Sequence, residues 1–433
     1  MSTSGSTSSR LSSSTRAVSV FSWGDSMAVA SLRLLSGVFA CLGAAHALAG
    51  SAGFAGIAAS ADSAETASDN PAGMARLDKP SSTLSLMQAT GFGTFEVDEG
   101  RTTTSGGDPD NDLNPVMIPQ AYYVRPLSDT LHAGISLTIP SGFGSEYGSD
   151  WAGRYYTDSY SLVYVAVTPA LSWRINEQWS VGASVGINYI SSQSEVAINT
   201  LTPGAGDGKL EADLDGVGTN FSLSLLWEMT EKTRFGLVYT SESTTDIDGD
   251  LKFRNTGPVI GGLLERGILP DDIEVEQVMP QRIIGGVYHE LDSGAFIVAD
   301  IAWVEFSQFG ANSISLDGET LHVEDSGFNN FWAGTLGYGF PANGGLRYTL
   351  DTFYVQAPVD DGKRSLAMPL DRMWGVGAGV QVEYASGKAM EFNLHLVDFG
   401  KSPVDTGPSA ARGRVVGETE HPYAVIVSGA YHF

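Results

Sequence analysis

The sequence predicts an all-β protein, specifically a fourteen-stranded antiparallel transmembrane β-barrel, with twelve and sixteen as the neighbouring even counts. Three observations predict it. Long segments alternate apolar and small or polar residues, with aromatics at their ends. Short and long connections alternate along the chain. The predicted strands are even in number, and the last ends on Phe433.

Composition sets the frame. Charged residues make up only 17% of the 433, against roughly a quarter in soluble domains. Glycine counts 52 and aromatics 10%, which excludes disorder. A net charge of −26 argues against nucleic acid, whose phosphates need clustered cations. One cysteine, Cys41, excludes a disulfide framework and a thiolate metal site.

Residues 1–49 read as a secretory signal with a Ser-rich lead. Arg33 precedes an apolar run from Leu34 that ends in Ala47-Leu48-Ala49, an A-x-A cleavage pattern. Met27 is an alternative start to Met1. Residues 50–80 are mostly small and polar and show neither helix nor strand period. Residues 81–433 form the barrel.

The strand argument rests on period 2. From Trp179, one face carries Val181, Ala183, Val185, Ile187 and Tyr189, and the other Ser180, Gly182, Ser184, Gly186 and Asn188. Trp374, Val376, Ala378, Val380, Val382 and Tyr384 oppose Gly375, Gly377, Gly379, Gln381 and Glu383. Phe221 to Met229 and Tyr423 to Phe433 repeat the pattern. Segments of about ten residues suit tilted spanning strands, terminal aromatics suit interfacial girdles, and the small face suits a lumen. Closure satisfies every backbone group in lipid. Short turns are expected at Asn176-Glu177 and Thr230–Lys232, and long acidic loops at Ser141–Ser159, Leu201–Val217, Asp248–Pro270, Ser313–Gly327 and Lys401–His421.

Several motifs carry little chemistry. Gly375-Val-Gly-Ala-Gly379 sits inside a strand pattern, and Asp246-Ile-Asp248-Gly-Asp250 lacks the Gly and Glu of a calcium loop. Glu383 and His395 are expected to face inward as a lumen pair. No cofactor and no metal site are predicted, and no activated-serine context points to an enzyme.

Other segments resemble the FadL-type transporters of long-chain fatty acids and hydrophobic compounds in the outer membrane of Gram-negative bacteria. The likeness runs from about residue 52 to the end. It is carried by Asp69-Asn70-Pro71-Ala72-Gly73-Met74-Ala75, by Gly134 to Phe143 with its Thr138-Ile-Pro140-Ser-Gly142, by Trp179-Ser-Val-Gly182, by Met279-Pro-Gln-Arg282-Ile-Ile-Gly285, and by Asp300–Trp303 with Phe306-Ser-Gln-Phe309. The resemblance implies a barrel plugged by an N-terminal hatch over 50–80, with Phe54, Asn70, Pro71 and Ala72 as hatch residues. It implies passive uptake through an apolar pocket and a sideways exit at a kink of the third strand, here Pro140, Ser141, Gly142 and Phe143. Proline and glycine in that stretch independently favour a bulge.

Val196 and Asn329 fall where the resemblance places basic residues of the fatty acid transporters, and together with inward Phe296 and Val298 they are the ligand-pocket candidates. Loss of both bases favours a neutral hydrophobe over a carboxylate, unless Arg282, Arg347 or Arg372 supplies the charge. Expected partners are a hydrophobic small molecule or fatty acid, lipopolysaccharide and outer-membrane lipid, and the barrel assembly machinery reading the last strand. A monomer is expected. A structural or adhesive barrel and a diffusion porin are the alternatives.

Overall fold

A computed structural model describes residues 55–433 apart from 110–114, 201, 203, 205, 324, 325 and 368, with the backbone alone at 141–143. The predicted signal and Phe54 lie outside the described residues.

Among these residues the wall is a closed antiparallel barrel of fourteen strands. They are β1 Ser81–Val97, β2 Val116–Pro126, β3 Leu131–Glu146, β4 Ser159–Arg174, β5 Trp179–Ile198 and β6 Gly208–Thr230. β7 runs in two pieces, Thr233–Thr240 and Ser243–Arg254, as do β8, Asp272–Met279 and Arg282–Glu290, and β9, Phe296–Val304 and Gly310–Leu316. Then come β10 Phe331–Ala342, β11 Leu346–Val355, β12 Met373–Glu383, β13 (Ala389–Asp398 and Ser402–Asp405) and β14 Val416–His432. Closure is made by β1 and β14, from Thr83↔His432 to Val97↔Gly417.

The alternation sorts as the sequence predicts. Leu84, Ile135, Leu171, Ile187, Leu223, Ile301, Leu336, Leu350 and Leu394 are exposed on the outer surface, while Ser172, Ser180, Ser184, Asn188 and Ser222 are buried inside. Two aromatic belts bound the apolar band. At the short-turn end Trp179 stacks on Trp227 at 5.3 Å, Trp227 on Phe235 at 5.5 Å, and Tyr338 on Phe340 at 5.8 Å. Near the long loops lie Tyr189, Phe221, Trp332, Tyr354, Trp374 and Tyr423. Ten residues separate Trp179 from Tyr189, so a tilted strand places the belts about 25 Å apart, the height of a lipid-facing band.

All five predicted long loops are partly sheet, Ser313–Gly327 through the end of β9 and a short strand Glu319–His322 that pairs back on it. β3 continues to Glu146, β6 begins at Gly208, the second piece of β7 reaches Arg254, and β14 begins at Val416. Beyond the lipid the barrel extends as a sheet with polar outer residues. Leu214, Ile247, Leu251, Ile273 and Val275 are buried on its inner face, so period 2 persists there beneath the Asp and Gly that mark a loop in the sequence.

The lumen, its hatch and the break in the wall

Residues 55–76 fold into the short-turn half of the lumen. A helical turn Thr66–Asp69 leads into a 3-10 turn Pro71–Arg76, with Asn70 between them. The Asn70 side chain accepts from Ala72 N–H at 3.1 Å, and its amide donates to the Ala58 carbonyl at 2.5 Å and the wall carbonyl of Leu225 at 3.4 Å. Pro71, at the first position of the 3-10 turn, has no N–H to leave unsatisfied. Ala72 is fully buried, held by Ser224 Oγ at 2.9 Å and by Ser172 Oγ at 3.1 Å.

Charged wall residues complete the seat. Asp300 on β9 accepts from Ala58 N–H and Thr335 Oγ1, both at 3.1 Å, and from Gly56 N–H. Arg234 Nε donates to the Ala59 carbonyl at 2.6 Å, Arg174 donates to the Ala75 carbonyl, and Arg76 pairs with Glu228.

Wall glycines make room. A Cβ at Gly236 would lie 1.7 Å from Ala58 O, one at Gly182 2.3 Å from Ala72 N, and one at Gly134 2.5 Å from Met74 Sδ. The sequence presents Gly182 as part of a small lumen face. The structure shows that Gly182 and Gly236 make room for the hatch backbone and Gly134 for the Met74 side chain.

The long-loop half of the lumen is apolar. Between the two pieces of β9, a 3-10 turn Phe306–Gln308 carries Phe306 and Phe309 inward, stacked at 4.6 Å. Phe331 and Phe328 meet Phe306 at 5.5 and 5.0 Å. Leu366, Leu370, Met373, Phe353 and Ile314 belong to the same buried cluster, as do Tyr147 and Trp151 of the β3–β4 connection.

The wall itself is interrupted. β2 pairs with β3 only from Pro126↔His132 to Ala121↔Leu137. Beyond that point β2 stays paired with β1 as far as Ala89↔Val116, and β3 with β4 as far as Glu146↔Ser159. Between Thr138↔Ala166 and Ser141↔Tyr164, Ile139 and Pro140 oppose the single residue Val165, which is a bulge. Pro119 on β2 and Pro140 on β3 stand on the two edges, each unable to donate a ladder bond. A second lapse, between β6 and β7, is stitched by Ser241, whose N–H donates to Phe221 O at 2.9 Å and whose Oγ accepts from Phe221 N–H at 3.0 Å.

A cavity of about 110 Å³ lies where hatch, apolar cluster and β2–β3 break meet. Ile57, Glu65 and Asp69 line it from the hatch, Gln120, Tyr122, Thr138 and Pro140 from the edges of the break, and Arg282, Ile284, Glu391 and His395 from elsewhere on the wall.

The other sequence candidates lie apart from that cavity. Phe296 and Val298 are buried against Ala55 of the hatch. Val196 is buried on the loop-end part of β5, opposite Leu210. Asn329 is exposed, its N–H bonded to Pro358 O at 2.7 Å, so it does not line the cavity. Glu383 is exposed at the end of β12 and does not meet His395, which is instead held by both Asp351 carboxylate oxygens at 3.1 Å. That pairing fails because Glu383, although on the inward parity of β12, ends the strand at its short-turn rim opposite Ala389, whereas His395 lies across from Gly377, six residues along. Arg234 and Pro119 were missed by sequence reasoning, and Asp300, named there only within the family-like segment Asp300–Trp303, was given no role although it is an acid in an otherwise apolar strand pattern.

A family model for outer membrane protein transport proteins (OMPP1/FadL/TodX) matches residues 28–419. This chain belongs to that family. It is 24% identical over 403 residues to the long-chain fatty acid transport protein of Escherichia coli K12, covering 82% of this chain and 83% of that one. The crystal structure of a Pseudomonas aeruginosa FadL homologue shares the fold, with a TM-score of 0.79 at 18% identity over 88% of this chain and 96% of that one. The Pseudomonas putida toluene transporter TodX matches with a TM-score of 0.64 at 18% identity, covering 89% and 96%. As an OMPP1/FadL/TodX member the protein is an outer-membrane transport channel of a Gram-negative bacterium, not an enzyme.

Two carboxyls of this channel's hatch make its seating depend on pH. Burial pushes Glu65 up to about 7, with Glu391 adding to the rise and His432 opposing it. Asp69 is raised by burial and by Glu65, against the pull of Arg282. The seated hatch therefore holds protons that a released hatch gives up. Seating is strongest below the ordinary Glu value of 4.5, weakens as pH rises toward about 7, and is flat above. Glu65 alone contributes on the order of 3 kcal/mol to this loss. Amide exchange across Thr66–Arg76, corrected for intrinsic rate, should be faster at pH 7.5 than at pH 5, and Glu65→Gln should shrink the difference.

Proposed function

We propose that this channel takes up hydrophobic molecules passively, through an internal apolar pocket and a lateral exit. The outer connections pass a molecule to the chamber around Phe306, Phe309, Phe331 and Phe353. The hatch denies it an axial path, and it leaves sideways between β2 and β3 into the membrane. The observation that carries this reading is the coincidence of three features at one cavity: an apolar chamber, a seated hatch and the wall break between β2 and β3.

Lateral release suits an apolar solute. Leaving the protein directly into hydrocarbon avoids the cost of crossing water, about 0.8 kcal/mol for every CH₂. Flow needs no cofactor or energy source and follows the gradient set by consumption inside the cell. The named activities of the relatives, long-chain fatty acid transport and toluene transport, define the two substrate classes to test.

The test is uptake by cells lacking other channels of this kind, with and without this protein, using radiolabelled oleate and toluene. Accumulation of at least one is expected to rise. Unchanged accumulation of both would favour a structural or adhesive barrel. Sugar permeation in a liposome-swelling assay would favour a porin, and the hatch filling the bore argues against that outcome.

A further inference from the structure

The lumen cavity has a counterpart on the outer surface. Val238, Thr240 and Arg282 line the cavity, while Tyr239, Ser241 and Gln281 line a notch of about 530 Å³ that opens outward. Successive residues of a strand face opposite sides of the sheet. Cavity and notch therefore stand back to back across a wall one strand thick. Val185 and the ring pair Phe221 and Tyr239, 5.9 Å apart, set the notch at the long-loop edge of the lipid-facing band.

The ladder lapses in the same place. β6 pairs with β7 up to Ser222↔Thr240 and again from Asp215↔Asp248, with one residue more on β7 between them. Over that gap Gly216–Phe221 stay paired with β5, and Ser243–Ile247 with β8, so each edge is held from its far side. The β2–β3 break has the same form. Here two glycines let the seam close. A Cβ at Gly216 would lie 2.3 Å from Asp246 O, and one at Gly218 would lie 1.9 Å from Thr245 Oγ1. The Thr245 hydroxyl thus takes the room of an absent β6 side chain. Thr245 is 2% exposed, and its hydroxyl meets no hydrogen-bond partner among the described residues. A buried hydroxyl without a partner is costly, and a solute that bonds to it relieves that cost.

The two lapses differ in chemistry. Pro119 and Pro140 edge the β2–β3 break, whereas Thr219, Asn220, Ser241, Glu242 and Gln281 line the notch. Glu242 is exposed and makes no ion pair among the described residues, so its carboxylate repels anions and accepts from a neutral donor.

We propose that the β6–β7 seam is a second lateral port, through which neutral hydrophobic molecules carrying a hydroxyl pass between the outer leaflet and the lumen cavity. This rests on the reading of the chain as a lateral uptake channel, and it adds a second route with its own solute class. The solute hydroxyl passes from Glu242 at the notch to Thr245 in the seam and Thr240 at the cavity, while the apolar part lies against Val185 and Phe221. A bare hydrocarbon gains none of these bonds and keeps to the β2–β3 break.

The experiment locks the seam with a disulfide. The only cysteine of the chain is Cys41, in the predicted signal, so an introduced pair meets no competing thiol in the barrel. A Cβ at Gly218 stands 3.0 Å from Thr245 Cβ, close to the roughly 3.5–4.5 Å of a disulfide. Gly218→Cys combined with Thr245→Cys is expressed in cells lacking other channels of this kind. Accumulation of radiolabelled octylphenol and octylbenzene is followed before and after reduction, relative to cells without the protein, and the disulfide is checked by mass. Oxidation should cut octylphenol uptake about fivefold or more and reduction should restore it, with octylbenzene within about twofold throughout. Unchanged octylphenol uptake in the locked protein overturns the port and leaves the β2–β3 route standing. So does an equal loss of both compounds, which means that the lock has closed a shared path. Uptake of neither compound by wild type counts against the port and the channel together. Where the pair does not fold or close, Thr245→Val decides, because it keeps the shape and removes the hydroxyl. Octylphenol uptake should then fall about threefold or more with octylbenzene unmoved. Equal octylphenol uptake by Thr245→Val and wild type overturns the proposal.

Discussion

Deleting Pro140 alone is expected to cut uptake of hydrophobic compounds about tenfold or more while leaving a folded barrel. The reason is register. β3 carries one residue too many between Thr138↔Ala166 and Ser141↔Tyr164. Removing one residue lets Ile139 pair with Val165 and keeps the in–out alternation of everything beyond it. A regular β3 then lies alongside Gln120 to Val116 of β2, where the ladder at present stops. Each ladder bond gained adds about 1 kcal/mol, so the variant should resist heating at least as well as wild type. Pro140→Ala is the control, because it keeps the extra residue and therefore the bulge. Its uptake should stay within about threefold of wild type. Equal uptake by the deletion variant and wild type would refute lateral exit at this place.

Asp300→Ala should unseat the hatch. Its carboxylate serves Gly56 N–H, Ala58 N–H and Thr335 Oγ1 at once, deep in the lumen. Truncation strands those donors, at about 1–3 kcal/mol for each left buried and unpaired. The first hatch turn should therefore loosen by several kcal/mol. Limited proteolysis of the folded protein in detergent should cut near residues 56–60 in the variant and spare wild type. Asp300→Asn keeps one acceptor oxygen and should fall between the two. Resistance of Asp300→Ala equal to wild type would mean that Asn70 and Arg234 suffice to hold the segment.

The sequence reaches far into this fold. All fourteen wall strands stand within a few residues of the predicted segments at their membrane end, from Ser81 to His432. Legibility comes from the solvent pair. Lipid outside and a packed lumen inside force a strict alternation, and Trp179 to Tyr189 shows it without exception. The loop-side extensions were lost because their outer residues face water. Asp213, Asp215 and Asp248 there read as loop, although Leu214 and Ile247 keep the inner period.

The candidate site was legible only in pieces. Pro140 is visible as a strand breaker, and Asn70-Pro71 as a turn. What Asn70 bonds to, and that its partners include the distant Leu225 carbonyl, depends on the closed barrel. Likewise Gly182 and Gly236 announce a small inner face, but not that a backbone presses against each. Arg282 reads in the sequence as one of three possible charge sources, and that it alone of the three lines the cavity beside the β2–β3 break follows from the closed barrel.

By itself, then, the order of residues determined that an even set of strands near fourteen lines the wall, which face of each meets hydrocarbon and where β3 is marked for a break, because these follow from side-chain period and from residues that cannot donate a ladder bond. The tertiary structure alone decided which wall groups grip the hatch, because those contacts join residues more than a hundred positions apart, as between Asn70 and Leu225 or Ala58 and Asp300, and no local pattern encodes them.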